Sequence, residues 1–212
     1  LDTGWVSSDS TIELPNSSSI WIADKNTIGV NEPVKLTWTS DQNITFEKII
    51  TLDENYLFSV DQRVINNSGL SFDLYPYGLS KRQGIPEMQN FFILHEGPLS
   101  ITDGVLEEYD YDDLKDDKKI KHSSVGGWIG MTDKYWQTAI IPNQNEPVQQ
   151  TYSYSFVDNI DNFQTDIVGE RIAVSNNASI SHNFKIFAGP KIVNIIDKYM
   201  DCLLYTSDLP TR

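Results

Sequence analysis

Three histidines, His95, His122 and His182, are the side chains of this sequence best suited to proton transfer or metal binding. None has a second histidine four positions away or a cysteine neighbour, which are the usual spacings of zinc ligands. His95 stands beside Glu96, but adjacent residues of a strand point to opposite faces, so this pair could share a proton only in a turn. The histidines therefore predict no metal centre and no catalytic dyad.

Signatures of other active sites are also missing from the sequence. There is no GxSxG elbow, no phosphate-binding loop and no dinucleotide fingerprint, so we predict no catalytic residue and no cofactor. The single cysteine, Cys202, rules out an internal disulfide and leaves the redox compartment open.

Charge is most concentrated between Glu107 and Lys121, where acidic residues come first and lysines last. This order suits a short helix, because each charge then complements the nearer end of the helix dipole; a loop fits as well. The segment lacks the glycine and terminal glutamate of a calcium-binding EF-hand, so we interpret it as a solvated face.

The whole chain is strongly acidic, with 30 acidic and 16 basic side chains and a formal net charge of −14. Nucleic acids and anionic lipid surfaces both attract cationic proteins. The composition therefore excludes nucleic acid as a partner and argues against direct binding to a membrane surface.

The hydrophobic pattern predicts a series of short strands that position these side chains. Val34, Leu36 and Trp38 alternate with polar residues, as in a strand with one buried face. Similar runs, separated by Gly, Pro, Asn and Asp, favour two packed antiparallel sheets in one domain. The predicted runs lie at 34–39, from 44 onward, and at 56–64, 70–77, 91–94, 101–106, 149–156, 170–174 and 178–188. No apolar run approaches the roughly 20 residues of a membrane helix, and because Leu1 is not an initiator methionine we expect a piece of a longer protein.

The segment GGWIGMTDKYWQTAIIP, residues 126–142, predicts a β-hairpin. Gly126 and Gly127 suit a turn or bulge before a strand, Thr132 and Asp133 suit the connecting turn, and a second strand ends at Pro142. We expect both of its tryptophans to be core residues, since large aromatic side chains dominate protein cores. A stacking platform for a sugar or a peptide is the alternative.

Residues 190–200 predict the one convincing helix. Gly189 and Pro190 are expected to end the preceding strand, and proline is well tolerated in a first helical turn. The opposite face is polar, which predicts that the helix lies at a sheet edge or sandwich rim. Its apolar stripe consists of Ile192, Val193, Ile195, Ile196 and Tyr199.

Three segments occur in an order that resembles the periplasmic domain of the bacterial YidC membrane protein insertase family: HEGPLSITD (95–103), GGWIGMTDKYWQTAIIP (126–142) and FAGPKIVNIIDKY (187–199). Weaker similarity at DTGW, NEPVKLTW and YPYGLSKR extends the match over most of the chain. The motif residues, to which we assign structural roles, are His95, Glu96, Gly97, Pro98, Gly126, Gly127, Trp128, Asp133, Lys134, Tyr135 and Trp136.

The resemblance implies a galactose-mutarotase-like β-super-sandwich over residues 1–200, with no catalytic, cofactor or metal residues. It implies a periplasmic domain of an inner-membrane protein that supports the insertion and folding of membrane proteins, with or without the Sec translocon. The implied partners are Sec components, the membrane-embedded insertase core and nascent membrane proteins, and the helix with Ile192, Ile195, Ile196 and Tyr199 would couple domain and core. Residues 201–212 depart from the family and are expected to be a non-native tail, while abundant Asn, Ile and Lys suggest an α-proteobacterial source.

A carbohydrate-binding or aldose-epimerase-like protein of the same fold is the alternative. An epimerase needs a histidine and a carboxylate that converge on a sugar ring. The available candidates are His95, His122 and His182, with Glu96 or Glu170.

Overall fold

In residues 1–85 and 95–200, which the computed structural model describes, two antiparallel sheets pack face to face. The six-stranded sheet has the spatial order β1 (Asp2–Val6), β6 (Phe72–Gln83), β13 (Ile160–Gly169), β12 (Pro147–Val157) and β9 (Lys119–Val125), with β14 (Ile172–Val174) paired to one end of β6. The nine-stranded sheet has the order β2 (Ile22–Ala23), β3 (Val34–Thr39), β4 (Ile44–Leu52), β5 (Leu57–Asn66), β15 (Ser179–Pro190), β11 (Trp136–Ile141), β10 (Trp128–Thr132), β7 (Gly97–Thr102) and β8 (Val105–Glu108). This arrangement confirms the predicted two-sheet antiparallel super-sandwich.

The main core lies between the two sheets. Ile129, Ile140 and Phe184 of the nine-stranded sheet meet Phe163 and Ile167 of the six-stranded sheet, and all five side chains are buried. A short helix, α1 (Tyr111–Asp117), closes one end of this core with Tyr111 and Leu114. The helix lies inside the charged segment, as one of its two interpretations predicted, and a capping box between Asp110 and Asp113 begins it.

A second apolar layer covers the outer face of the nine-stranded sheet. Trp128, Ile141 and Phe187 point outward there, and α2 (Val193–Met200) packs over them through Ile196 and Tyr199. The expected place for this helix was a sheet edge or rim. That expectation is wrong because β10, β11 and β15 carry large apolar side chains on both faces, so their outer face also needs a cover.

Several predicted strand limits are corrected by the structure. The strand predicted to end before Gly189 and Pro190 includes both residues, because β15 pairs there with Gln137 and Trp136 and ends at Pro190. The single strand predicted at 101–106 is a hairpin of β7 and β8, which turns at Asp103 and Gly104 in the left-handed region. No strand was predicted over β13. The run predicted at 91–94 and the tail predicted at 201–212 lie outside the described residues and stay predictions.

Candidate functional site

The predicted hairpin is confirmed, with β10 and β11 paired around a turn at residues 133–135. Gly126 and Gly127 both have positive φ, and a Cβ on Gly127 would lie 2.1 Å from the carbonyl oxygen of Ile101. Trp128 is buried as expected, but the expectation for Trp136 is wrong, since it is 59% exposed. Trp136 pairs with Pro190 near the hairpin tip, where the six-stranded sheet no longer covers it.

The turn of this hairpin combines a structural ion pair with exposed aromatic side chains. Asp133 accepts two hydrogen bonds from Arg82 Nη1, at 2.6 and 2.7 Å, and so links the hairpin to the end of β6 in the other sheet. Lys134 Nζ lies 5.0 Å from the ring centre of Tyr135, which is 64% exposed.

His95 and His122 have structural partners and do not share a site. His95 precedes β7, and its Nε2 lies 3.1 Å from the carbonyl oxygen of Pro98, a contact that requires an N–H donor. His122 is on β9, 2.8 Å from the hydroxyl of Tyr109. Neither histidine has a hydrogen bond to Glu96 among the bonds of the described residues. His95 therefore has a local structural role in the HEGP segment, since it contacts Pro98 at the start of β7.

His182 is the histidine that meets a carboxylate in a cleft. Its Nε2 lies 3.1 Å from Glu146 Oε2, and the cleft of about 570 Å³ is also lined by Glu170 and Arg171. Burial lowers the pKa of His182, while the negative charge of Glu146 opposes that shift. The imidazole is therefore neutral at pH 7, with its proton on Nε2 and donated to Glu146.

His182 is not placed to act as a general base in this cleft. Only 6% of the His182 side chain is exposed, Nε2 is already bonded, and Nδ1 is buried without a partner among the described residues. A catalytic base must reach the proton that it removes, and neither ring nitrogen is placed to do so. Nor do the described residues contain a cluster of three or more His, Cys, Asp or Glu side chains that could hold a metal ion.

The four residues assigned to the coupling helix have different environments. Ile196 and Tyr199 are buried against the nine-stranded sheet, and Ile195 is half-buried beside them. Ile192 precedes the helix, accepts the N–H bonds of Ile195 and Ile196, and is 47% exposed. The side chain of Val193 lies outside the described part of the structure.

A large apolar cavity among the described residues is a groove beside β1, which we call the β1 groove. It has a volume of about 750 Å³. It exists because the nine-stranded sheet is wider than the sheet opposite, so β3 and β4 extend beyond the edge of β1. Its floor consists of Val34, Leu36, Ile50, Phe58, Val60 and Ile186. One wall is formed by residues 1–3, where β1 begins, and the other wall lies at residues 23–28.

A smaller aromatic compartment continues the groove along β1. It has a volume of about 200 Å³ and contains Trp5, Trp21 and Tyr77. The two compartments share Asp2, Thr3 and Lys48. The Lys48 ammonium bonds to the carbonyl oxygen of Thr3, lies 3.4 Å from Asp2 Oδ1 and is 5.3 Å from the Trp21 ring centre, so it stands at the junction.

The sequence did not locate this groove. The alternation of Val34, Leu36 and Trp38 predicted a buried face, and the strand is present, but part of that face lines the groove. No local signal shows which inward-facing residues lack a strand above them.

Comparison with known proteins identifies the family of this fold. A model of the family described as the YidC periplasmic domain matches residues 1–209. The chain belongs to this family. Relatives named membrane protein insertase YidC include those of Pelagibacter ubique, 38% identical over 96% of this chain, and Rickettsia bellii, 37% identical over 93%. Both organisms are α-proteobacteria, in agreement with the predicted source.

This YidC periplasmic domain covers about a third of each of those relatives, 36% in both cases. Its fold is shared with a galactose mutarotase related enzyme from Lactobacillus acidophilus, with a TM-score of 0.52 and 10% identity over 81% of this chain and 73% of that one. Among residues 1–85 and 95–200, no helix is long and apolar enough to cross a membrane.

Proposed function

We propose that this chain is a non-catalytic periplasmic domain of an inner-membrane insertase and that it supports the insertion and folding of membrane proteins, with or without the Sec translocon. The observation that carries the proposal is the family match along the chain, joined to relatives that are named as insertases. The structure adds a surface suited to such a role, the β1 groove.

We infer that the β1 groove binds apolar segments of nascent membrane proteins. Such segments are rich in Leu, Ile, Val and Phe, and each square ångström of apolar surface removed from water contributes about 25 cal/mol. The floor side chains, among them Leu36, Ile50 and Phe58, present this kind of surface without a covering strand. A concave cleft lined mainly by apolar side chains is a common place for a binding site.

Two substitutions on neighbouring residues of β4 test the groove. Ile50 lies on its floor, whereas Ile49 points to the opposite face and is 38% exposed. We expect Ile50→Glu to weaken binding of a fluorescent apolar peptide at least tenfold, because a bound peptide would bury the new charge. Ile49→Glu should leave the affinity unchanged. Equal affinities in two folded variants, checked by circular dichroism and thermal melting, would count against the groove.

We propose that α2 couples this domain to the membrane-embedded core of the insertase. The exposed side of the segment, at Ile192, is available for that contact, whereas Ile196 is used by the fold. In a full-length protein, Ile192→Asp should reduce insertion while the domain remains folded. Val125→Asp, at an equally apolar and 57% exposed position on β9, is the matched control. Equal insertion by both variants contradicts the coupling role.

Sec components are the other proposed partners. The exposed hairpin tip, with Tyr135 and Trp136, provides aromatic side chains of the kind enriched at protein interfaces. A photo-crosslinking residue at position 136 of the full-length protein should form adducts with a Sec component in membranes. The same probe at position 125 should not. Identical adduct patterns from the two positions would remove support for a specific Sec contact.

Aldose-epimerase-like activity is the second candidate, because His182, Glu146 and Glu170 share a cleft. The buried imidazole argues against it. The purified chain can be mixed with an anomerically pure aldose while optical rotation is followed. Acceleration that is lost in His182→Gln would overturn the non-catalytic assignment, and a rate equal to that of buffer would support it.

A further inference from the structure

The wall of the β1 groove is an unpaired sheet edge. β1 is the outermost strand of the six-stranded sheet and pairs with β6 on one side only. An edge strand presents a row of N–H and C=O groups that another extended chain can match. The groove therefore offers a main-chain surface as well as an apolar floor.

The register shows which main-chain groups of β1 face the groove. Trp5 stands opposite Pro76, which has no N–H to exchange, so Trp5 belongs to a non-hydrogen-bonded pair. Outward and inward groups alternate along a strand, so Thr3 faces outward together with Trp5. The contacts of Thr3 agree, because its carbonyl accepts from Lys48 and its N–H donates to Asp2 Oδ1 at 2.8 Å.

A strand added beside β1 would lie over the groove floor. Neighbouring strands are about 4.8 Å apart and packed sheets about 10 Å apart, so the next strand position falls above β4 and β3. Leu36, Ile50 and Val60 point into that space from below. Every second side chain of the added strand would contact this floor, and the others would face solvent.

An extended segment needs such an edge more than a helix does. In an apolar groove its N–H and C=O groups would otherwise lose water without gaining partners, and each unpaired group is costly. The edge of β1 supplies partners on one side of the segment, and the groove wall at residues 23–28 lies on the other side. The main-chain N–H and C=O groups of a helix are already hydrogen-bonded to one another, so a helix would gain no hydrogen bonds from Thr3 and Trp5.

Lys48 occupies this edge in the unbound chain. Its side chain reaches from the nine-stranded sheet to Thr3 and Asp2, and only 16% of it is exposed. A lysine at a sheet edge is a frequent barrier to unwanted strand pairing. A segment that pairs with Thr3 must displace the Lys48 ammonium.

We propose that the β1 groove binds an extended apolar segment of a nascent membrane protein as an additional β-strand on β1, and that Lys48 guards this edge. The proposal rests on the proposed function, in which the groove takes apolar segments, and specifies how it takes them. The recognition element is the outward-facing main chain of Thr3, above the apolar floor, and of Trp5, beside the aromatic compartment. Both residues are buried in the unbound chain, 4% and 6% exposed, so the incoming segment must displace the side chains that cover them.

Backbone N-methylation tests the mode of binding, because it removes N–H donors from chosen residues of a peptide. Three fluorescent peptides of one Val- and Leu-rich sequence with terminal lysines are titrated against the purified chain and followed by anisotropy. One is unmodified, one is methylated at odd positions and one at even positions. Strand addition uses one alternate set of donors, so one methylated peptide should bind at least tenfold more weakly and the other should bind like the unmodified peptide.

The outcomes separate this inference from the proposed function. Equal affinities of both methylated peptides, or equal losses, overturn strand addition and leave the groove standing if the unmodified peptide binds. No binding of the unmodified peptide overturns the role of the groove itself. Lys48→Met should bind the unmodified peptide at least threefold more tightly. Lys35→Met, which changes a lysine on the opposite face that pairs with Glu47, should not, and unchanged affinity in Lys48→Met overturns the guarding role.

Discussion

Trp128 is the largest fully buried side chain in the described part of the chain, and it fills the layer between the nine-stranded sheet and α2. We expect Trp128→Ala to lower the free energy of unfolding by about 3–5 kcal/mol, the usual cost of truncating a large buried aromatic residue. Trp136→Ala, in the same hairpin but 59% exposed, should cost about 0.5 kcal/mol or less. Urea unfolding followed by far-ultraviolet circular dichroism gives both values, and similar losses would place Trp136 in the core after all.

His182 makes stability depend on pH. Burial disfavours the imidazolium and so lowers the pKa of His182 in the folded chain. In the unfolded chain the pKa of this histidine is about 6.5, so below that pH the unfolded chain binds more protons than the folded chain. Its contribution is complete above that pH and is lost as the pH falls toward the lowered folded-state pKa. The slope that one group adds is at most about 1.4 kcal/mol per pH unit.

We therefore expect acidification from pH 7 to pH 5 to lower the free energy of unfolding of this chain relative to that of His182→Gln. Glutamine can still donate to Glu146 but does not titrate. Urea unfolding at several pH values measures the slopes, and NMR titration of the His182 ring should give a midpoint below 6.5. Parallel slopes in the two proteins would show that other groups control the acid response.

At the scale of elements, Arg82 and Asp133 connect the two sheets. The pair joins the end of β6 to the β10–β11 turn with two short hydrogen bonds, and about a third or less of each side chain is exposed. A double-mutant cycle with Arg82→Met and Asp133→Asn should give a coupling energy of about 1–2 kcal/mol, above that of fully exposed pairs. Lys115 and Asp112, an exposed pair on α1, are the control and should couple by about 0.5 kcal/mol or less. Equal coupling energies in both pairs would show that the Arg82–Asp133 pair stabilises the fold no more than an exposed pair does.

The sequence predicted elements well where a local pattern decided them. The β10–β11 hairpin follows from paired glycines, a Thr-Asp turn and two β-prone runs, and β3 follows from simple alternation. The sequence pattern did not predict β13, because its inward residues are Phe163, Thr165 and Ile167 and the buried threonine interrupts the apolar series. Trp136 was misplaced because a β-strand pattern does not show where the opposite sheet ends.

The β1 groove belongs to the scale of the whole molecule, and this is why the sequence could not predict it. Its floor residues are 34, 36, 50, 58, 60 and 186, and one wall is at the start of β1, so five strands that are separate in sequence meet there. What creates it is the unequal width of two sheets, a consequence of pairings between distant strands such as β5 and β15. The family resemblance predicted the sandwich, but the site required the register of every strand around β1.

Net charge also acts on the whole molecule. With a formal charge of −14, acidic side chains repel one another more strongly in the compact state than in the expanded unfolded chain. Raising NaCl from 20 to 500 mM shortens the Debye length to a few ångströms, so we expect the free energy of unfolding at pH 7 to rise by on the order of 1 kcal/mol. Near the isoelectric point of about 4.4 the net repulsion vanishes, and the same change in salt should then have little effect. A decrease with salt at pH 7 would mean that attractive pairs such as Arg82–Asp133 outweigh the repulsion among the remaining carboxylates.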